Sequence, residues 1–142
     1  MRYAYPYDMA APPEGGFTVT VPDVPEAITE GDSAEDAHAQ AEDALISALS
    51  FYTDEGRPLP RPSPARGRPV VLVPPLVAAK LALHDATLAA GLSNVELARR
   101  LGVDEKAVRR LRDPLHRSHI GQIETALRSL GKRLEVRVLE QI

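Results

Sequence analysis

An α+β protein built from two small modules is predicted: an N-terminal β-hairpin and helix, then a C-terminal helix-turn-helix bundle flanked by short strands. Three observations predict it. Apolar residues alternate at Tyr3, Tyr5 and Tyr7 and again at Phe17, Val19 and Val21, the period of a half-buried strand. From Ser33 onward the period changes to that of a helix and, after an interruption, stays helical as far as Gly131. The interruption is residues 57–69, with five prolines and no apolar periodicity, which marks a connector between modules 1–66 and 67–142.

The tyrosine run breaks at Ala-Ala-Pro-Pro-Glu-Gly-Gly, where Gly15 and Gly16 supply a turn. The strand that follows, with Thr18 and Thr20 on its other face, pairs back as a hairpin until Pro22 and Pro25 end it. A two-stranded hairpin is marginal alone, so further strands and a covering helix are required. That helix starts at Asp32 or Ser33, either of which can cap it. It carries Ala37, Ala41, Ala44, Leu45, Ala48, Leu49 and Tyr52 as an apolar stripe, and Glu35, Asp36, Glu42 and Asp43 outside. The connector reaches at most about 40 Å if wholly polyproline-like.

In the second module, residues 70–73 form a short β-branched strand. Pro74-Pro75 opens a helix carrying Leu76, Ala79, Leu81, Leu83, Ala86 and Leu88 up to Gly91. Ser93 or Asn94 caps the next, whose Leu97, Ala98 and Leu101 share a side; Gly102 turns the chain and Asp104 caps another with Val108 and Leu111 inward. Glu105, Lys106, Arg109, Arg110 and Arg112 are left outside, where a recognition helix carries base and phosphate readers. Pro114 ends it. Ser118 caps a last helix with Ile120, Ile123, Ala126, Leu127 and Leu130 inward, stopped by Gly131. Leu134, Val136 and Val138 then alternate with Glu135 and Arg137 as a closing strand, to pair with residues 70–73 or across a two-fold axis.

A net charge of −3 conceals opposite ends. Residues 1–66 hold four Lys plus Arg against twelve Asp plus Glu, a net of −8, whereas residues 93–142 hold eleven against seven, a net of +4. Such asymmetry suggests a polyanion for one half and a basic partner for the other. There is no cysteine, which removes disulfides and thiolate metal sites. No run approaches the roughly 18 apolar residues of a membrane span, so a cytoplasmic protein without a membrane partner is expected. Cores this small favour a homodimer or higher homo-oligomer.

Enzyme chemistry has little support. Asp8, Asp23, Asp32 and Glu35 could serve a magnesium-dependent nuclease only by converging, yet strand end, proline-bounded turn and helix cap already explain the first three. The histidines lack metalloprotease spacing: His38 and His84 lie within helices, and His116 and His119 follow the recognition helix. No catalytic residue, metal site or cofactor is expected.

The order Gly-Gly-Phe-Thr-Val-Thr-Val-Pro-Asp-Val-Pro-Glu-Ala-Ile-Thr-Glu-Gly-Asp over residues 15–32, then Ala-Glu-Asp-Ala-Leu-Ile-Ser-Ala-Leu-Ser-Phe-Tyr over 41–52, resembles the HicB family of antitoxins. The segments Arg-Pro-Leu-Pro-Arg-Pro-Ser at 57–63, Val-Pro-Pro-Leu-Val-Ala-Ala-Lys at 73–80 and Glu-Leu-Ala-Arg-Arg-Leu-Gly at 96–102 are similar to the subgroup with a C-terminal helix-turn-helix. The resemblance covers nearly the whole chain. It implies a type II antitoxin whose partial RNase H-like N-terminal half binds and neutralises a HicA-like toxin, a small basic mRNA-cleaving ribonuclease, and whose C-terminal half represses its operon. The alternative is a stand-alone DNA-binding regulator with a ligand- or protein-sensing N-terminal domain.

For operator DNA the expected contacts are Lys106, Arg109 and Arg110 by their outward phase, with Glu105 at a cytosine. Asn94, Arg117, Ser118 and His119, at helix starts or their approaches, are the expected phosphate holders. For the toxin they are Asp23, Glu26, Glu35, Asp36, Glu42 and Asp43.

Overall fold

The computed structural model describes residues 2–140. Tyr3, Tyr5 and Tyr7 all point inward, as their alternation requires, but they do not pair with the glycine-turn strand. Strand β1 (Ala4–Pro6) instead runs antiparallel to β5 (Val70–Leu72), with Tyr5 opposite Val71. Residues 70–73 therefore belong to the N-terminal sheet rather than to the C-terminal bundle. The Tyr7 amide donates to the Pro69 carbonyl at 2.9 Å, and the chain passes directly into β2 (Asp8–Ala10).

The hairpin is made by this second piece. β2 pairs with β3 (Phe17–Thr20), Met9 opposite Val19, and β3 pairs with β4 (Ile28–Gly31), Phe17 opposite Gly31. Two small antiparallel sheets result, ordered β1-β5 and β2-β3-β4. The prolines at 22 and 25 bound a loop rather than ending the sheet. Its backbone closes on itself through Val21 to Ala27, Val24 to Val21 and Ala27 to Val24 hydrogen bonds, which aims β4 back along β3.

Helix α1 (Ala34–Asp54) begins where Ser33 accepts the Asp36 amide at 3.0 Å, while Asp36 accepts the Asp32 amide at 2.8 Å. Two orphan amides are thus satisfied, with Glu35 and Asp36 favourably placed at the positive end of the helix dipole. Its buried face is the expected stripe, with Ala44 half-buried. Small alanines let the helix lie close to β3 and β4, and full burial of Leu45 and Leu49 contributes about 1.5–3 kcal/mol each.

The proline-rich segment packs on the N-terminal module rather than standing clear as an extended connector. Leu59 is buried, Tyr5 donates its hydroxyl to the Pro60 carbonyl at 2.8 Å, and Asp23 accepts both the amide and the hydroxyl of Ser63 at 2.8 Å. Arg57 lies over the Tyr52 ring, 4.3 Å from its centroid.

Helix α2 (Pro75–Ala89) serves both cores. Its Leu81 joins the cluster of the tyrosines, Leu45 and Leu49, whereas Ala79, Leu83 and Ala86 join a second cluster with Leu97, Ala98, Val108, Leu111, Ile123, Ala126 and Leu127. That second cluster is closed by α3 (Asn94–Leu101), α4 (Glu105–Arg112) and α5 (Ile120–Ser129). Ser93 and Glu96 form a capping box on α3, Gly102 ends it at φ +69°, and Asp104 accepts the Ala107 amide at 2.8 Å to start α4. Beyond Gly131, residues 132–140 adopt no regular structure, so the closing strand is not formed within the chain. Ser118 does not cap α5 either; His119 stands at the N-cap without a side-chain bond.

Candidate nucleic-acid interface and the buried polar cluster behind it

The two eight-residue helices α3 and α4 meet across a three-residue turn, and the charge on α4 is divided by phase. Val108 and Leu111 face the core. Lys106, Arg109 and Arg110 are exposed, and Arg109 is ion-paired with half-buried Glu105 at 2.9 Å, one helical turn apart. Arg117 and His119 are exposed on the approach to α5, and with Arg110 and Ser118 they line a groove of about 760 Å³ between α4 and α5. Seven of the eight residues expected at DNA thus lie on or beside α4 and this groove: Glu105, Lys106, Arg109, Arg110, Arg117, Ser118 and His119.

Arg112, expected outside, is inside. It is 6% exposed, and its guanidinium donates to Asn94 Oδ1 at 2.6 Å and to His84 Nδ1 at 2.7 Å. Asn94 is therefore engaged in holding the start of α3 to the end of α4. Because a guanidinium only donates, His84 Nδ1 must accept, so the proton sits on Nε2 and is donated to the Arg57 carbonyl at 2.8 Å. Burial is the main cause holding the His84 pKa below its ordinary value, the nearby Arg112 charge adding to it against the Arg57 hydrogen bond.

Lys80 is the second buried cation. Its ammonium donates to the Arg110 carbonyl at 2.7 Å, to the Leu111 carbonyl at 3.4 Å and to Ser118 Oγ at 2.7 Å. It thus closes the C-terminal end of α4, where the helix dipole favours positive charge. Desolvation pushes its pKa down to about 8, against the opposing pull of Asp113. Ser118, expected at a phosphate, is held by Lys80. Sequence reasoning missed this cluster although a signal existed: Lys80, His84 and Thr87 recur at helical spacing on an otherwise apolar helix, and all three are fully buried.

The fold holds neutral His84, so below the ordinary imidazole pKa the folded state binds fewer protons than the unfolded chain. Stability is then complete above that value and falls as the pH is lowered through it. Urea unfolding at pH 7 and pH 5.5 should show the wild type weakening on acidification, and His84→Asn should flatten the difference. An unchanged pH dependence in the variant would assign the titration elsewhere.

The acidic residues of the first module divide in the same way. Asp23 binds Ser63, Glu26 accepts the Tyr52 hydroxyl at 2.8 and 2.7 Å, and Asp36 serves the α1 cap. The Tyr52 bond lowers the Glu26 pKa. Glu35 and Asp43 are exposed on α1 and Glu42 is half-buried. Among the described residues, no group of three or more His, Asp or Glu is placed to hold a metal ion, and no helix is long and apolar enough to cross a membrane.

Comparison with known proteins accounts for both halves. The family described as HicB_like antitoxin of bacterial toxin-antitoxin system matches residues 4–82, from β1 into α2. Antitoxin HicB 2 of Photorhabdus laumondii is 41% identical over 136 residues, covering 96% of this chain and 95% of that protein. Antitoxin HicB of Escherichia coli is 36% identical over 133 residues, covering 93% and 96%. Antitoxin HicB of Pseudomonas fluorescens is 40% identical over 122 residues, covering 84% of each. The similarity thus runs through the sheets, the packed proline segment and the helical bundle alike, and the chain belongs to the HicB-like antitoxin family.

Proposed function

We propose that this antitoxin binds and neutralises a HicA-like mRNA-cleaving toxin through its N-terminal module, and represses its own operon through α3 and α4 acting as a helix-turn-helix. The N-terminal sheets and α1 are then a partial RNase H-like unit, and the protein acts as a homo-oligomer. The observation that carries the DNA reading is the phase of α4: Val108 and Leu111 are buried while Lys106, Arg109 and Arg110 face solvent beside a groove rimmed by Arg117 and His119. A cationic helix face held rigidly on a small bundle is what major-groove entry requires. For the toxin, exposed Glu35 and Asp43 are the leading contacts and Glu42 a lesser one. Asp23, Glu26 and Asp36 act mainly by holding the surface in shape.

Co-expression with an adjacent small basic reading frame tests the antitoxin role by growth rescue and co-purification; a non-toxic neighbour and no complex would favour the stand-alone regulator. On the operator, Arg109→Ala should weaken specific binding by about 1–3 kcal/mol if the side chain leaves Glu105 for a guanine. Unchanged affinity in a titration would move the base contact to Lys106 or Arg110.

A further inference from the structure

His84 joins three chain segments through one buried ring. It stands on α2, the helix that both cores share, and its Nε2 donates to the Arg57 carbonyl in the segment packed on the N-terminal module. Its Nδ1 accepts from Arg112, the last residue of α4, and Arg112 donates in turn to Asn94, the first residue of α3. Arg112 makes no ion pair among the described residues, and its buried Nε has no hydrogen-bond partner. A buried guanidinium is thus held by two neutral acceptors, one of which can take a proton. The other charged groups near the ring are engaged elsewhere. Asp85 accepts the Tyr3 hydroxyl and pairs with Arg61 at 3.7 Å, and Lys80 is bound to the Arg110 and Leu111 carbonyls and Ser118. The Arg57 guanidinium lies over Tyr52 and 3.6 Å from Glu55, and Asp113 accepts the Leu115 amide.

We propose that His84 is an acid-sensitive latch: neutral, it ties α3 and α4 to each other and to the N-terminal module, and protonated, it frees them and loosens the hold on operator DNA. A second ring proton would occupy Nδ1, so Arg112 would lose an acceptor and face a cation at 2.7 Å. Neither group can accept a hydrogen bond in that state, and no anion stands by to separate them, so one must move away. Arg112 is the one that can, because a largely exposed loop follows it, whereas His84 is fixed on a helix packed into both cores. Lys80 keeps its hold on the Arg110 and Leu111 carbonyls, so α4 does not unravel. What is lost is the Arg112 bond to Asn94, which sets α4 against α3 one turn from Arg109. The latched form excludes the proton, so it prevails at neutral pH and gives way on acidification. Burial, the largest cause, puts that change below the ordinary imidazole value. The loss of operator affinity rests on the repressor reading of α3 and α4; the latch itself does not.

All four tyrosines, Tyr3, Tyr5, Tyr7 and Tyr52, lie in the N-terminal module and the chain has no tryptophan, so the tyrosine band in near-ultraviolet circular dichroism reports that module alone. On the full chain, between pH 7.5 and pH 5, three quantities are followed: this band, hydrogen-exchange protection at the Leu97 and Asp113 amides corrected for intrinsic rates, and operator preference. The preference is the affinity for the duplex directly upstream of the chain's own reading frame over that for an unrelated duplex. Taking this ratio matters because charge gained by exposed His116 and His119 strengthens the hold on any polyanion. Wild type should lose operator preference by about tenfold per pH unit below the midpoint, the slope of one proton per chain. Protection at both amides should fall with it while the tyrosine band stays. His84→Asn keeps an acceptor for Arg112 and His84→Gln keeps a donor for the Arg57 carbonyl; neither titrates, and whichever folds should hold both quantities level. Wild-type values that stay flat, a fall of equal size in the variants, or loss of the tyrosine band at the same pH would overturn the latch. A chain without operator preference at any pH would sink the repressor reading, and the exchange measurement would then decide the latch by itself.

Discussion

Gly31→Ala is expected to destabilise the N-terminal module by about 3 kcal/mol, as forced overpacking does in closely packed interiors. Gly31 ends β4, one turn before α1, and a Cβ there would stand 2.4 Å from the Ala37 nitrogen, 2.5 Å from its Cα and 2.9 Å from its Cβ. The first two atoms are helix backbone and the third is fixed directly to it, so none can rotate away. β4 must then move off α1, which disturbs its pairing with β3 and the stripe that covers both. Urea unfolding followed by circular dichroism checks the loss, and on the proposed function co-purification with the toxin should fall in parallel. A variant within 1 kcal/mol of wild type would mean that the helix and strand separate more easily than their spacing implies.

Lys80→Met should have an effect of similar size in the other module, about 3 kcal/mol. It keeps the chain length of the buried side chain but leaves the Arg110 and Leu111 carbonyls and Ser118 Oγ without their donor, and an orphaned buried acceptor costs about 1–3 kcal/mol. Methionine's easier desolvation offsets part of the loss. The distinguishing result is selective: the end of α4 should fray, with faster hydrogen exchange at its last amides, and on the proposed function operator binding should weaken while toxin binding persists. Exchange rates equal to wild type would show that the helix end does not depend on Lys80.

Much of the chain was legible in advance because its local signals agree. Ser33, Ser93, Gly102 and Asp104 each place a helix boundary by a bond to a backbone group within four residues, although the sequence left Asp32 and Asn94 as alternatives to the first two. The Tyr3, Tyr5, Tyr7 alternation named the buried face of the first strand correctly. It could not name the partner. The pairing of β1 joins chain segments more than 60 residues apart, Ala4 standing opposite Leu72, and parity says nothing of which edge is vacant. The short β4, Ile28–Gly31, was overlooked because the prolines before it read as an end to pairing, when the loop they bound closes through its own backbone.

The site divides in the same way. The amino-acid sequence by itself determined the family, the opposite charges of the two halves and the cationic outward phase of α4, since these need only residue identity and the helical period. Only the tertiary structure decided that Arg112 turns inward to Asn94 and His84, that Lys80 closes the C-terminal end of α4, and that Asp23 and Glu26 bind their own chain rather than standing free. The physical reason is that a charged side chain is buried where distant segments supply its hydrogen-bond partners, and that supply exists only once α2, α3 and α4 have packed.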